Sequence, residues 1–160
     1  MDLRLVYAIL LTLLPITELR AGLPLAISYA LENKVSLPLI FLIIILTNMI
    51  VVFALFLFLS FLHEKLLKFP VYKKGFGLCL KRIQRKANKL EKRYPSLEFL
   101  GLMLLVALPF PGTGAWTGTL VAWVLGLDKK RSAIAICCGI VLAGTLVFLA
   151  TFGIISLFPH

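Results

Sequence analysis

The chain has 160 residues, 61% of them hydrophobic, and a formal net charge of +10. A mean hydropathy of +1.02 sets it apart from soluble domains, whose apolar share is roughly 45–50%, so the sequence predicts an integral membrane protein. The length suits one compact membrane domain, residues 1–160, and leaves no room for a separate soluble catalytic domain.

The apolar run from Met1 to Leu14 has no small-residue cleavage site before Glu18 and Arg20, so it is expected to belong to the fold and not to a removed signal peptide. Pro15, Gly22 and Pro24 then interrupt it. A proline inside a helix deletes a backbone hydrogen bond and clashes with the preceding turn. Leu5 to Leu14 would reach only ~15 Å as helix, half of the hydrocarbon thickness, and a similar stretch runs on to Leu31. From Leu37 to Leu62 no residue is charged. That run exceeds the ~20 residues needed to cross a bilayer and predicts a transmembrane helix.

The segment 63–98 is basic, with Lys65, Lys68, Lys73, Lys74, Lys81, Arg82, Arg85, Lys86, Lys89, Lys92 and Arg93 against Glu64, Glu91 and Glu98. Leu80, Ile83, Ala87, Leu90 and Tyr94 recur within it at helical spacing, the pattern of an interfacial amphipathic helix. Lys81, Arg82, Arg85, Lys86 and Lys89 are the expected contacts to anionic head groups; a solvated loop that only sets topology is the alternative. No aromatic platform or readout motif accompanies the charges, so nucleic acid is not an expected partner. Phe99 to Leu108 is a second short apolar stretch, followed by the breakers Pro109, Pro111, Gly112, Gly114 and Gly118 and a further apolar stretch to Leu127. Ser132 to Phe158 is uncharged and predicts the second transmembrane helix. Cys79, Cys137 and Cys138 have neither metal spacing nor a disulfide framework and are expected as small apolar fillers.

The two halves read as a repeat, the alternative being a chance match of two Leu/Ile/Val-rich stretches. Residues 15–56 align without a gap on 111–152, pairing Pro15 with Pro111, Thr17 with Thr113, Gly22 with Gly118, Lys34 with Lys130 and Ser36 with Ser132. Repeated, broken apolar segments are the sequence pointer to a transporter site at a repeat interface. The expected organisation is repeat 1 over 1–62, the connector over 63–98 and repeat 2 over 99–160.

Each broken segment reads either as a kinked spanning helix or as a re-entrant hairpin, and charge placement discriminates. The positive-inside rule makes the basic connector cytoplasmic. Four spans would leave Asp128, Lys129, Lys130 and Arg131 outside; hairpins return them to the cytoplasm and leave Glu32 to Lys34 and both termini outside. The expected fold is therefore an all-α, multi-pass cell-membrane protein: an inverted repeat of re-entrant helical hairpin plus transmembrane helix, joined by a basic amphipathic helix. Irregular backbone at membrane depth survives only when buried in protein or facing a watery cavity, so the two hairpin tips should meet.

Glu18 is the only carboxylate and Arg20 the only arginine within their apolar segment, and such groups are functional by default at membrane depth, the alternative being a structural ion pair that holds the tip closed or a site nearer the interface. A spacing of two puts them on one side of an extended stretch, which suits an unwound tip. In the second tip the glycines permit close approach and Thr113 and Thr117 bring hydroxyls. A helix starting near Thr113 to Trp116 would aim its free amides at an anion. Trp116 reads equally as a substrate contact or as core. The candidate substrate- or ion-binding set is Glu18, Arg20, Pro24, Pro111, Gly112, Thr113, Gly114, Trp116 and Thr117; no metal site is expected.

Pro15 with Glu18-Leu19-Arg20-Ala21-Gly22-Leu23-Pro24, and Pro109-Phe110-Pro111-Gly112-Thr113-Gly114-Ala115-Trp116-Thr117-Gly118, resemble the two signature motifs of the small multidrug export family, a distant branch of the DedA superfamily that includes the SNARE-associated Golgi proteins. The resemblance covers almost the whole chain. It implies facing hairpins, a helix after each, an amphipathic connector, a homodimer, and movement of lipids such as polyprenyl phosphates or phospholipids at the expense of a proton or sodium gradient. DedA proteins carry arginines in the second hairpin; none lies between Arg93 and Lys129 here, and Arg20 stands as the local substitute.

The resulting expectation is an ion-coupled transporter or lipid translocase that needs no cofactor. Glu18 would bind and release a proton or cation, while Arg20 and the amides near Gly112 to Thr117 hold an anionic head group. The rivals are export of lipophilic cations, with Glu18 as counter-charge, and a non-transporting scaffold that holds lipids or partners through its basic helix. An enzyme is not expected: no nucleophile or metal arrangement is visible, and His63 and His160 fall at predicted membrane edges.

Overall fold

The computed structural model describes residues 3–66, 95–108, 110 and 112–157, and all regular structure among them is helical. The elements are α1 (Leu3–Leu13), α2 (Glu18–Glu32), α3 (Leu37–Leu66), α4 (Pro95–Ala107), α5 (Ala115–Leu125) and α6 (Lys129–Leu157). Adding 96 to the bounds of α1, α2 and α3 gives 99–109, 114–128 and 133–162, which fall on α4, α5 and α6. The pattern of two short helices and one long one therefore occurs twice. Lys81, Arg82, Arg85, Lys86 and Lys89 of the expected amphipathic helix lie outside the described residues, as does Pro111.

The apolar runs at Leu37–Leu62 and Lys129–Ile155 are long enough to cross a bilayer, and less than half of each is buried inside the protein. Their outer faces present large side chains, such as Leu57 (73% exposed) and Ile154 (62%). Soluble proteins do not leave apolar faces of this size to water, which is consistent with a membrane protein carrying two helices long enough to span. The four short helices span only about 16–22 Å at 1.5 Å per residue, short of the ~30 Å hydrocarbon core.

α1 and α2 fold back on each other as a closed hairpin. Near the tip, Gly22 lies so close to Ala8 and Thr12 that a Cβ would come within 2.7 Å of the Ala8 carbonyl oxygen, and at the open end Arg4 pairs with Glu32. α2 stops where Lys34 takes a positive φ of 54° and Val35 N–H reaches the Ala30 carbonyl. The second pair is more splayed: α4 rests chiefly on α6, where Gly139 sits against Met103 and Val106, while Gly118 of α5 sits against Val106 and Ile136. α5 ends at Gly126, which adopts the left-handed conformation that glycine favours after a helix.

α3 and α6 run antiparallel, with Ile45 against Gly144 and Lys129 Nζ donating to Ser60 Oγ at 2.9 Å. The first pair thus opens beside the start of α3, the second beside its end. Leu23, Ile27, Ile40, Ile44, Ile136 and Ile140 pack the space between the halves.

Two expectations are corrected. Pro24 does not break the chain, because α2 continues through it; its cost is the one backbone bond that its missing N–H cannot make to the Arg20 carbonyl. The stretch from Glu18 to Arg20 is not extended either. The turn lies at Leu14–Thr17, and Glu18 already begins α2.

Gly22→Ala is expected to destabilise the protein by about 1–3 kcal/mol by overpacking the α1–α2 contact. Gly101→Ala, where a Cβ meets nothing within 4 Å, should instead be neutral or stabilising by up to ~1 kcal/mol through helix propensity. Unfolding of both variants in mixed micelles, compared with the parent, checks the pair.

Candidate functional site at the meeting of the two tips

Each tip is tied down by a repeat-equivalent threonine. Thr17 Oγ1 donates to the Leu11 carbonyl at 2.7 Å, and Thr113 Oγ1 lies 2.7 Å from the Leu108 carbonyl and 2.8 Å from that of Phe110. Each of these carbonyls, at or just beyond the ends of α1 and α4, also accepts a backbone N–H, from Leu14, Phe110 and Thr113 respectively, so the threonine hydroxyls reinforce turns that the backbone already closes. Thr117 Oγ1 likewise donates to the Gly112 carbonyl at 2.7 Å.

Glu18 crosses from the first tip to the second. Its side chain is buried (6% exposed); Oε2 accepts from the Ala115 N–H at 3.2 Å and Oε1 from the Trp116 N–H at 3.0 Å. These are the first two amides of α5, which have no partner inside the helix. No side chain on α5's own cap residue, Gly114, serves them, so Glu18 acts as that cap from the other half of the protein, at the positive end of the helix dipole. The role of Gly114 follows: a Cβ there would collide with the Glu18 carboxylate, and its φ of 149° disfavours other residues. Glu18 itself holds a φ of 42°, a region that costs a non-glycine residue about 1–3 kcal/mol.

Arg20 makes the complementary crossing. Its guanidinium donates to the carbonyls of Leu108 (2.9 Å), Thr113 (2.7 Å) and Phe110, and to Thr113 Oγ1 (2.7 Å). Leu108 directly follows α4, so the cation sits at the negative end of that helix. The acid thus caps an N-terminus and the base a C-terminus, both in the opposite half.

The structure accordingly brings together Glu18, Arg20, Thr113 and Gly114, with Trp116 joined through its backbone. Gly112 and Thr117 belong to the same tip, while Pro24 stands one turn down α2. The expectation that the α5 amides are open to an anion is corrected: in this conformation Glu18 fills them. The Trp116 indole Nε1 is buried and has no hydrogen-bond partner among the described residues.

Sequence reasoning missed Asn48. It lies mid-way along α3, is 2% exposed, and its Oδ1 has no donor among the described residues. With Glu18, Arg20, Leu19, Val106, Ala115, Ile140 and Ala143 it lines a small cavity of about 10 Å³, enough for about one water molecule. The available signal was an amide in a run of 26 residues without a charge.

Because Glu18 and Gly114 share one space, their substitutions should not add. Glu18→Gln keeps the shape but replaces one acceptor with a donor facing an amide, and Gly114→Ala expels the carboxylate. Each single change should cost about 1.5–3 kcal/mol, and the double variant should fall short of their sum by about 1 kcal/mol or more. A double-mutant cycle of unfolding free energies measures this.

Searches of the curated proteins and of the solved structures found no match. The model of the family described as "Putative small multi-drug export protein" matches residues 18–146 of the 160. That match begins at Glu18, just after the first turn, takes in α2, α3 and the second tip, and reaches well into α6; the chain belongs to this family.

Proposed function

We propose that the protein is an ion-coupled membrane transporter whose two hairpins are re-entrant, inserted from opposite faces, and meet tip to tip near the bilayer midplane. Three observations support this arrangement. The short helices cannot cross the hydrocarbon core individually. α1 and α2 return to one end, with Arg4 on Glu32. Lys129 bonds to Ser60, which puts the start of α6 on the connector side, where its Lys and Arg cluster belongs if that side is cytoplasmic. The two halves then form an inverted repeat, the usual basis of alternating access.

The observation that carries the transport reading is the crossed capping of the second tip by Glu18 and Arg20. An acid on helix amides occupies the place an anionic cargo would take. Protonation of Glu18 weakens its hold on Ala115 and Trp116, frees those amides, and leaves Arg20 as the second anchor for an anion. Proton binding at one residue is thereby coupled to exposure of an anion site. An amphipathic lipid with an anionic head group, such as a phospholipid or polyprenyl phosphate, fits these groups, and the resemblance of the two tip motifs to a branch of the DedA superfamily supports the same reading. A second reading follows from the family's description: export of a lipophilic cation, for which Glu18, once released from α5, is the counter-charge.

Proteoliposomes carrying headgroup-labelled phospholipid, polyprenyl phosphate or a lipophilic cation, with and without imposed proton or sodium gradients, test the proposal. Glu18→Gln is expected to lower gradient-driven movement about 10–100-fold, in line with the loss of a charge-assisted contact. Arg20→Ala should do the same for an anionic cargo and leave a cationic one moving. Unchanged transport in both folded variants would sink the mechanism.

A further inference from the structure

On the lipid-facing side of α3, α4 and α6 lies a groove of about 790 Å³, within the usual 300–1,000 Å³ of ligand sites. Its walls are apolar or sulfur-bearing: Met49 and Phe53 on α3, Met103 on α4, and Cys138 and Leu142 on α6. Cys138 is exposed, so it lines this groove and does not fill the core, contrary to the expectation from sequence. Methionine lets such a wall fit chains of varied shape.

Three features distinguish the groove from ordinary lipid contact. One residue lining it carries a charge, Lys130, at the end where α6 begins. No acceptor engages its ammonium among the described residues: the acid nearest in sequence, Asp128, directs Oδ1 to the Arg131 N–H at 2.8 Å, and the neighbouring Lys129 is bonded to Ser60. The length is also specific. From Lys130 to Leu142 the helix rises ~18 Å, close to the ~15 Å depth of one leaflet. Finally, the inner end backs onto the tip site, because Met49 follows Asn48 and Leu142 precedes Ala143, and both Asn48 and Ala143 line the cavity beside Glu18.

We infer that this groove docks a membrane amphiphile with an anionic head group and a long alkyl chain, the head group held by Lys130 and the chain laid between α3 and α6 toward the tips. The charge is complementary, and the slot matches a chain entering from the leaflet on the connector side. This rests on the transport reading only in making the groove the place where cargo waits; the docking itself requires no movement of cargo.

The test uses an alkyl phosphate bearing a diazirine near its terminal methyl, photolysed with the full chain in phosphatidylcholine vesicles, and the labelled residues are located by mass spectrometry. Label is expected around Met49, Phe53, Met103 and Leu142, displaced by unlabelled alkyl phosphate. Lys130→Glu should reduce it about tenfold, and Lys34→Glu, at the other end of the fold, should leave it intact. Equal labelling by a choline-headed analogue, insensitivity to Lys130→Glu, or exclusion of the probe by a second copy of the chain would each overturn the inference. Labelling that depends on Lys130 and survives Glu18→Gln upholds the groove whatever that variant does to transport, so the two readings fail separately.

Discussion

Everything at the centre of the protein depends on helix ends that stop inside the fold, at membrane depth if the hairpins are re-entrant as proposed. A helix that terminates in lipid leaves N–H and C=O groups without water, each at a cost of several kcal/mol. Here the ends of α4 and α5 are satisfied by charges from the other half: Arg20 takes the carbonyls of Leu108, Phe110 and Thr113, and Glu18 takes the amides of Ala115 and Trp116. The helix dipoles make each charge favourable where it sits. The same contacts that allow the chain to reverse at this depth also place its acid and its base, so the stability of the tips and the function proposed for them are one interaction.

Much of this was legible in the sequence, for a physical reason. Proline and clustered glycine end helices by local rules, and the uncharged runs from Leu37 and Ser132 announce spans by length alone, so α1, α3, α4, α5 and α6 fall close to where they were expected. Pro24 was misread because a proline's effect depends on what surrounds it: in α2 the flanking residues pack well enough for the helix to tolerate one missing bond. The singularity of Glu18 and Arg20 was visible. Most of their partners were not, because apart from Thr113 Oγ1 they are backbone atoms more than 85 positions away, which carry no residue signature. Asn48 escaped for a related reason, since a lone amide gains meaning only from the acid that its helix brings alongside.

The close fit of the halves rests on small residues. Gly22, Gly118, Gly139 and Gly144 all sit where a Cβ would press into a neighbouring helix. With no hydrophobic driving force between helices in lipid, close backbone approach is what holds such bundles together. Hydroxyls bonded to their own helix carry the polar load cheaply, as Thr12 does to Ala8 and Thr119 to Ala115, which leaves the tips as the place where charge is concentrated.

The tip contact is asymmetric between the two matching halves. Glu18 and Gly114 are equivalent in the two halves, 96 positions apart, and they meet at one point, where the carboxylate occupies the space a side chain on Gly114 would need. Two glutamates there would force two carboxylates into one space, and two glycines would leave the first amides of α5 without the Glu18 cap. Matching positions with unequal residues is what closes the tips here. The first tip supplies the charges and the second supplies bare helix ends. Because Glu18 and Arg20 share the first turn of α2, a movement of that turn releases the amides and the carbonyls together. In the transport cycle proposed above, opening would then be a single event on one helix, and a proton arriving at Glu18 would act at the place where that event starts.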